Sequence, residues 1–127
     1  GTQSVQGYIE AINKGVQAFV LAFNKRDISQ VESALEALDR VPRFDETADG
    51  LRNELKYLLV SARRLAEEQP ADRAARLALA TERQKIFLSF ESWQERYQLW
   101  LDLELPKYGL KVERKETPAN APQNSAK

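Results

Sequence analysis

Cysteine, histidine and methionine are all absent from this chain of 127 residues. Without cysteine the protein has no disulfide and no thiol nucleophile, and without histidine it lacks the commonest acid–base group and the usual ligands of zinc and haem. We therefore expect no catalytic residues, no cofactor and no metal site, and a protein that is not an enzyme. An enzyme would have to work with carboxylates, tyrosines and lysines alone.

An excess of either charge is also missing, because lysine and arginine together number 19 and aspartate and glutamate also number 19. General nucleic-acid-binding proteins carry a basic excess, so we expect no nucleic-acid partner. No apolar run approaches the roughly 18 to 20 residues of a membrane span, so we expect none. The lack of cysteine suits an exported, periplasmic or extracellular soluble domain, towards which we lean, but cytosolic helical domains also lack it, and the compartment stays open.

Glycine and proline are scarce, at five residues each, which favours helices over a turn-rich sheet. Apolar residues recur every three or four positions, the spacing that aligns side chains on one face of a helix. Asp27 and Gln30 have the spacing of a capping box, and Pro42 ends the short helix that follows. Gly15 lies inside the first helix, where it either allows close approach of a neighbouring helix or is simply tolerated, and we expect the second. The first predicted helix spans residues 4–25, and the second starts at Asp27 and stops before Pro42. The third starts at an N-cap that is either Asp45 or Thr47 and runs to about residue 68, and the fourth spans about 73–105.

These elements predict an all-α fold, an antiparallel up-and-down four-helix bundle of three long helices and one short one. The bundle domain is expected over residues 1–112. Residues 113–127 contain no large apolar side chain and two prolines, so we expect a disordered, flexible tail or linker there. The fourth helix, at about 50 Å, is longer than its neighbours. It must overhang them, break near Ser89 or Ser92, or be covered by the first two helices together.

The C-terminal half of the fourth helix carries more apolar residues than one helix face needs. One line of mostly aromatic residues has core spacing, namely Ile86, Phe90, Trp93, Tyr97 and Trp100. A second set falls off that line or follows the helix, with Tyr108 and Leu110 predicted to lie in a short extended segment that folds back over the helix. We predict that this set binds a partner unless the chain covers it. Its members are Leu99, Leu101, Leu103, Leu105, Tyr108 and Leu110.

The leading functional hypothesis is a non-catalytic protein–protein interaction module, such as an adaptor, a chaperone-like protein or an assembly-accessory protein, whose partner is another protein or a second copy. The alternative is a ligand-sensing bundle that holds a small apolar or anionic molecule between helices. That alternative rests on Arg83, which occupies a position on the apolar line, and its pocket would be lined by Arg83, Trp93 and Tyr97. Ion pairing or extension of the Arg83 side chain to the surface is the favoured explanation of that residue.

Overall fold

A computed structural model describes residues 2–110, with side chains from Ser4 onwards, so the tail predicted at residues 113–127 lies outside the described part. The described chain forms four α-helices followed by a short 3₁₀ turn, which confirms the predicted all-α bundle. The helices are α1 (Thr2–Lys25), α2 (Val31–Arg40), α3 (Glu46–Glu67) and α4 (Arg73–Glu104), and the 3₁₀ turn spans Leu105–Tyr108.

Helix starts follow local hydrogen-bonding chemistry. The carboxylates of Asp45 and Asp72 accept hydrogen bonds from the backbone three residues on, at 2.8 and 2.9 Å, and so cap α3 and α4 as N-cap residues do. The predicted capping box at Asp27 is wrong. Its carboxylate accepts from the Ser29 amide at 3.0 Å, which lowers the pKa of Asp27, and α2 starts only after Gln30. An Asp side chain that bonds two residues on stabilises a turn in place of a helix.

Successive helices run antiparallel, and α1 and α3 are parallel neighbours. The Tyr8 hydroxyl donates to the Ala48 carbonyl at 2.9 Å, and Arg26 Nε donates to the Ala66 carbonyl at 3.0 Å. Both pairs are 40 residues apart in sequence, so the two helices stay in register from one end to the other. The short α2 packs on one side of this pair, and α4 packs on the opposite side.

Gly15 allows α1 and α3 to approach closely. A Cβ atom at Gly15 would lie 2.7 Å from Cδ2 of Leu55 on α3 and 3.3 Å from Cδ1 of Leu38 on α2. Both leucines are fully buried, so neither has free space to move into. Gly15 therefore lies where α1 and α3 approach closely, and an added side chain would press against the tips of Leu55 and Leu38.

Aromatic rings fill the interface between α4 and the rest of the bundle. The predicted core line from Ile86 to Trp100 is buried. Phe90 stacks on Phe19 of α1 with ring centroids 4.1 Å apart, and Trp100 meets Tyr8 edge-on at 5.1 Å. The helix runs unbroken, whereas residues 73–85 include no buried residue. Of the alternatives for its length, a break is therefore wrong, and its N-terminal part lies at the surface.

Three arginines close the C-terminal ends of neighbouring helices. Arg26 donates to carbonyls at the end of α3, Arg52 to carbonyls at the end of α2, and Arg83 to the Phe23 carbonyl near the end of α1, at 3.2 Å. The last carbonyls of a helix have no partner within it and carry partial negative charge. A guanidinium supplies both hydrogen-bond donors and a positive charge, so these arginines stabilise the junctions between helices.

Candidate functional site

A concave groove lies between the first half of α3 and the last turns of α4. Its volume is about 410 Å³. Helix α3 contributes Thr47, Gly50, Leu51 and Glu54, and helix α4 contributes Arg96, Leu99, Trp100, Leu103 and Glu104. The two helices meet here because α4 runs antiparallel to α3, which brings the apolar C-terminal half of α4 to the N-terminal half of α3.

The floor of the groove is held by two tryptophans that donate hydrogen bonds to α3. Trp100 Nε1 donates to the Asp45 carboxylate at 3.0 Å, and the same carboxylate caps α3. Trp93 Nε1, beneath the floor, donates to the Leu51 carbonyl at 2.8 Å. Buried indole N–H groups need such acceptors. Both indole rings are therefore held in a fixed position.

The walls of the groove are apolar and open to solvent. Leu99 is 58% exposed and Leu103 is 61% exposed, although each lies beside the buried Trp100. On the facing wall, a Cβ at Gly50 would meet no atom of the described chain within 4 Å, so α3 leaves space opposite the leucines. Apolar side chains beside such a space offer contact area to an apolar group that enters it.

The charged side chains of the rim are paired. Arg96 Nη1 donates to Glu54 Oε1 at 2.7 Å, and this hydrogen bond raises the pKa of Arg96 above its ordinary value. Lys107 Nζ lies 3.1 Å from Glu104 Oε2. Because each carboxylate faces a cation, the rim has little net charge, and apolar contact is the main interaction that the groove offers.

The six residues predicted to bind a partner separate into two groups. Leu99 and Leu103 line the groove. Leu105 is buried, and Leu101, Tyr108 and Leu110 are partly buried against the core. The segment predicted to be extended is instead a 3₁₀ turn that ends at Gly109, whose φ of 73° is left-handed. Tyr108 and Leu110 pack partly against the core, and Leu99 and Leu103 stay exposed.

The three residues of the alternative ligand pocket are not brought together. Trp93 is fully buried and stacks on Tyr97 with centroids 5.2 Å apart. Arg83 lies about 15 Å earlier along the helix, where its guanidinium carbon sits 4.2 Å from the Phe23 ring centre. Arg83 instead borders a separate surface groove of about 420 Å³ at the opposite pole, together with Arg26 and Arg76.

Sequence reasoning missed the α3 side of the groove. Gly50 interrupts an otherwise regular amphipathic helix, and that interruption was the only available signal for an open wall. The pairing of Glu54 with Arg96 joins residues 42 positions apart. A single sequence carries no signal for such a contact. The double role of Asp45 likewise depends on where Trp100 lies.

Across residues 2–110, no three acidic side chains cluster in a way that would hold a metal ion. Among the described helices, none has both the length and the apolar character needed to cross a membrane. Comparisons of the chain with protein-family models, with curated proteins and with solved structures found no match.

Proposed function

We propose that this protein is a non-catalytic protein–protein interaction module whose groove between α3 and α4 receives an apolar side chain or short apolar segment of another protein. The observation that carries the proposal is the exposure of Leu99 and Leu103 beside a formed, open groove. Leucines that pack only against their own fold would be covered, whereas leucines on a concave wall are available to a partner.

The chemistry of the groove supports binding rather than catalysis. Its ionisable side chains are the paired Glu54 and Arg96, together with Glu104, which pairs with Lys107. A nucleophile needs an adjacent base, and Thr47, the one hydroxyl lining the groove, has only paired carboxylates among the other lining residues. Fixed indole positions and apolar walls instead form a preorganised binding surface.

The expected affinity is modest. Burying a whole leucine contributes about 1.5 to 3 kcal/mol, so covering the exposed part of Leu99 and Leu103 contributes about 2 to 3 kcal/mol in total. A micromolar complex needs about 8 kcal/mol. The partner must therefore make further contacts around the rim.

Filling the groove tests the proposal. Gly50→Leu places a side chain where a Cβ meets no described atom, and Gly7→Leu is the matched control because Gly7 is equally open and borders a different groove, between α1 and α2. The three tagged proteins are used for affinity capture from an extract of the source organism, with quantitative mass spectrometry. A partner is expected to be retained by the parent and Gly7→Leu and lost from Gly50→Leu. Identical or empty capture profiles would contradict the proposal.

The groove at the opposite pole favours a second candidate function, the binding of a small anionic molecule with an apolar part. Arg26, Arg76 and Arg83 surround it, and Phe23 and Leu79 contribute apolar lining. Glu68 also borders this groove and offsets part of the positive charge. Thermal shift measurements with straight-chain carboxylates of increasing length would test this function. The parent is expected to be stabilised more than Arg76→Ala, and equal responses would exclude the site.

A further inference from the structure

The outer face of α4 carries a line of exposed leucines. Leu77, Leu88 and Leu99 are 57%, 52% and 58% exposed. Successive members are eleven residues apart, which is about three helical turns, so the three side chains point in nearly the same direction. That direction is opposite to the buried Ile86 and Trp93, so no other described element of the fold covers the line.

The charges that flank these leucines are segregated along the helix. Exposed Arg73 and Lys85 precede Leu88, whereas Glu91 and Glu95 follow it. Asp102, which accepts a hydrogen bond from Gln98 at 3.2 Å, lies on the same acidic half. The side chains that flank the leucines are therefore basic before Leu88 and acidic after it, apart from the exposed Arg96, whose guanidinium is paired with Glu54 of α3.

We infer that a second copy of this chain docks on the outer face of α4, with the two helices antiparallel and Leu88 facing Leu88 of the partner subunit across a twofold axis. Leu77 and Leu99 are equally distant from Leu88, so antiparallel pairing places each against the other. The same pairing sets the basic half of one helix against the acidic half of its neighbour. Parallel pairing would set like charges against each other.

This interface shares one residue with the groove and otherwise lies outside it. Leu99 borders both surfaces, but Leu77 and Leu88 lie outside the groove lining. A helix of 32 residues is about 48 Å long, and a contact strip about 10 Å wide covers about 500 Å² on each copy. The resulting total of about 1,000 Å² is at the lower limit for specific association, so the dimer is weak and depends on concentration.

Cysteine cross-linking tests both the surface and the orientation, because the chain contains no cysteine of its own. Leu88→Cys is expected to form a disulfide-linked dimer in oxidised glutathione at high protein concentration. Leu77→Cys alone is expected not to form a disulfide with itself, because its two copies lie about 33 Å apart in the antiparallel dimer. A mixture of Leu77→Cys and Leu99→Cys is expected to give the cross-linked heterodimer.

Sedimentation velocity from about 10 μM to 1 mM supplies an independent measurement. The mass of the parent is expected to approach twice the monomer mass as the concentration rises. Leu88→Glu is expected to raise the dissociation constant of the dimer at least tenfold. Tyr57→Glu, which alters an exposed apolar residue on α3, and Gly50→Leu, which fills the groove, are expected to leave the dissociation constant unchanged. A parent that stays monomeric, or Leu77→Cys that cross-links to itself as readily as Leu88→Cys, would overturn the inference. Neither result would affect the groove test.

Discussion

Three glycines inside helices are predicted to respond in opposite ways to the same substitution. At Gly7 and Gly50 an added Cβ would meet no atom of the described chain within 4 Å. Alanine there gains helix propensity and reduces the freedom of the unfolded chain. We expect Gly7→Ala and Gly50→Ala each to raise the free energy of unfolding by about 0.5 to 1 kcal/mol.

Gly15→Ala gains the same propensity but introduces a clash. Its Cβ would lie 2.7 Å from Leu55 Cδ2 and 3.3 Å from Leu38 Cδ1, in a part of the core where both leucines are fully buried. Overpacking of this kind costs about 1 to 3 kcal/mol. After the propensity gain of about 1 kcal/mol is subtracted, we expect a net loss of about 0 to 2 kcal/mol.

Urea denaturation followed by circular dichroism and tryptophan fluorescence measures all three variants against the parent. The double variant Gly15→Ala with Leu55→Ala isolates the clash, because removing the leucine tip should make alanine at position 15 favourable. A coupling free energy of about 1 to 3 kcal/mol is expected. A Gly15→Ala protein as stable as Gly7→Ala would show that Leu55 and Leu38 accommodate the added methyl group, and would refute the predicted clash.

The remaining predictions concern buried polar groups. Tyr97→Phe should leave the free energy of unfolding unchanged or raise it by up to about 1 kcal/mol, because the Tyr97 hydroxyl is buried with no hydrogen-bond partner among the described residues. Tyr8→Phe should lower the free energy of unfolding by about 1 kcal/mol, because it removes a buried hydrogen bond. Thermal melts of the two variants would show the same order. Burial raises the pKa of both tyrosines, so the folded state keeps them neutral while the unfolded state ionises near pH 10. The free energy of unfolding should therefore be retained below about pH 10 and fall as the pH rises further. Loss of helix and the rise of tyrosinate absorbance at 295 nm should then occur together. Ionisation of all the tyrosines while the helices stay intact would contradict this prediction. Arg52→Ala should lower the free energy of unfolding, measured by urea denaturation, by about 3 kcal/mol because it leaves Asp49 less well paired in the core. Arg63→Ala, whose ion pair is exposed, should lower it by at most about 1 kcal/mol. Equal losses would refute the capping role of Arg52.

The regular features of the fold could be predicted because they depend on local sequence. Three-four spacing of apolar residues identified all four helices, and Asp72 marked the start of α4 because its carboxylate reaches the amide three residues on. The start of α2 could not be predicted in this way. Asp27 has two local uses for its carboxylate, a cap and a turn, and the outcome depends on how the chain leaves α1.

Which leucines near the end of α4 form the candidate site depends on which side of the helix the neighbouring elements cover. Leu101, and Leu105 at the start of the 3₁₀ turn, lie on one side of the aromatic line, where they are partly and fully buried against the core. Leu99 and Leu103 flank it on the other side, where Gly50 leaves α3 without a covering side chain. The sequence shows four similar leucines in one helix. Their different exposure follows only from tertiary contacts, which helical spacing does not encode.

The exposed leucines of α4 are not explained by folding alone. Glutamine, glutamate and lysine have nearly the same helix propensity as leucine, so a polar residue at position 77 or 88 would maintain the helix equally well. The core of α4 is already supplied by a separate line of buried rings. Leucines that remain more than half exposed gain little of the burial energy that an apolar side chain can contribute to folding. Burial against a partner would recover that energy, which is the physical reason for proposing partner contacts at the groove and at the outer face of α4.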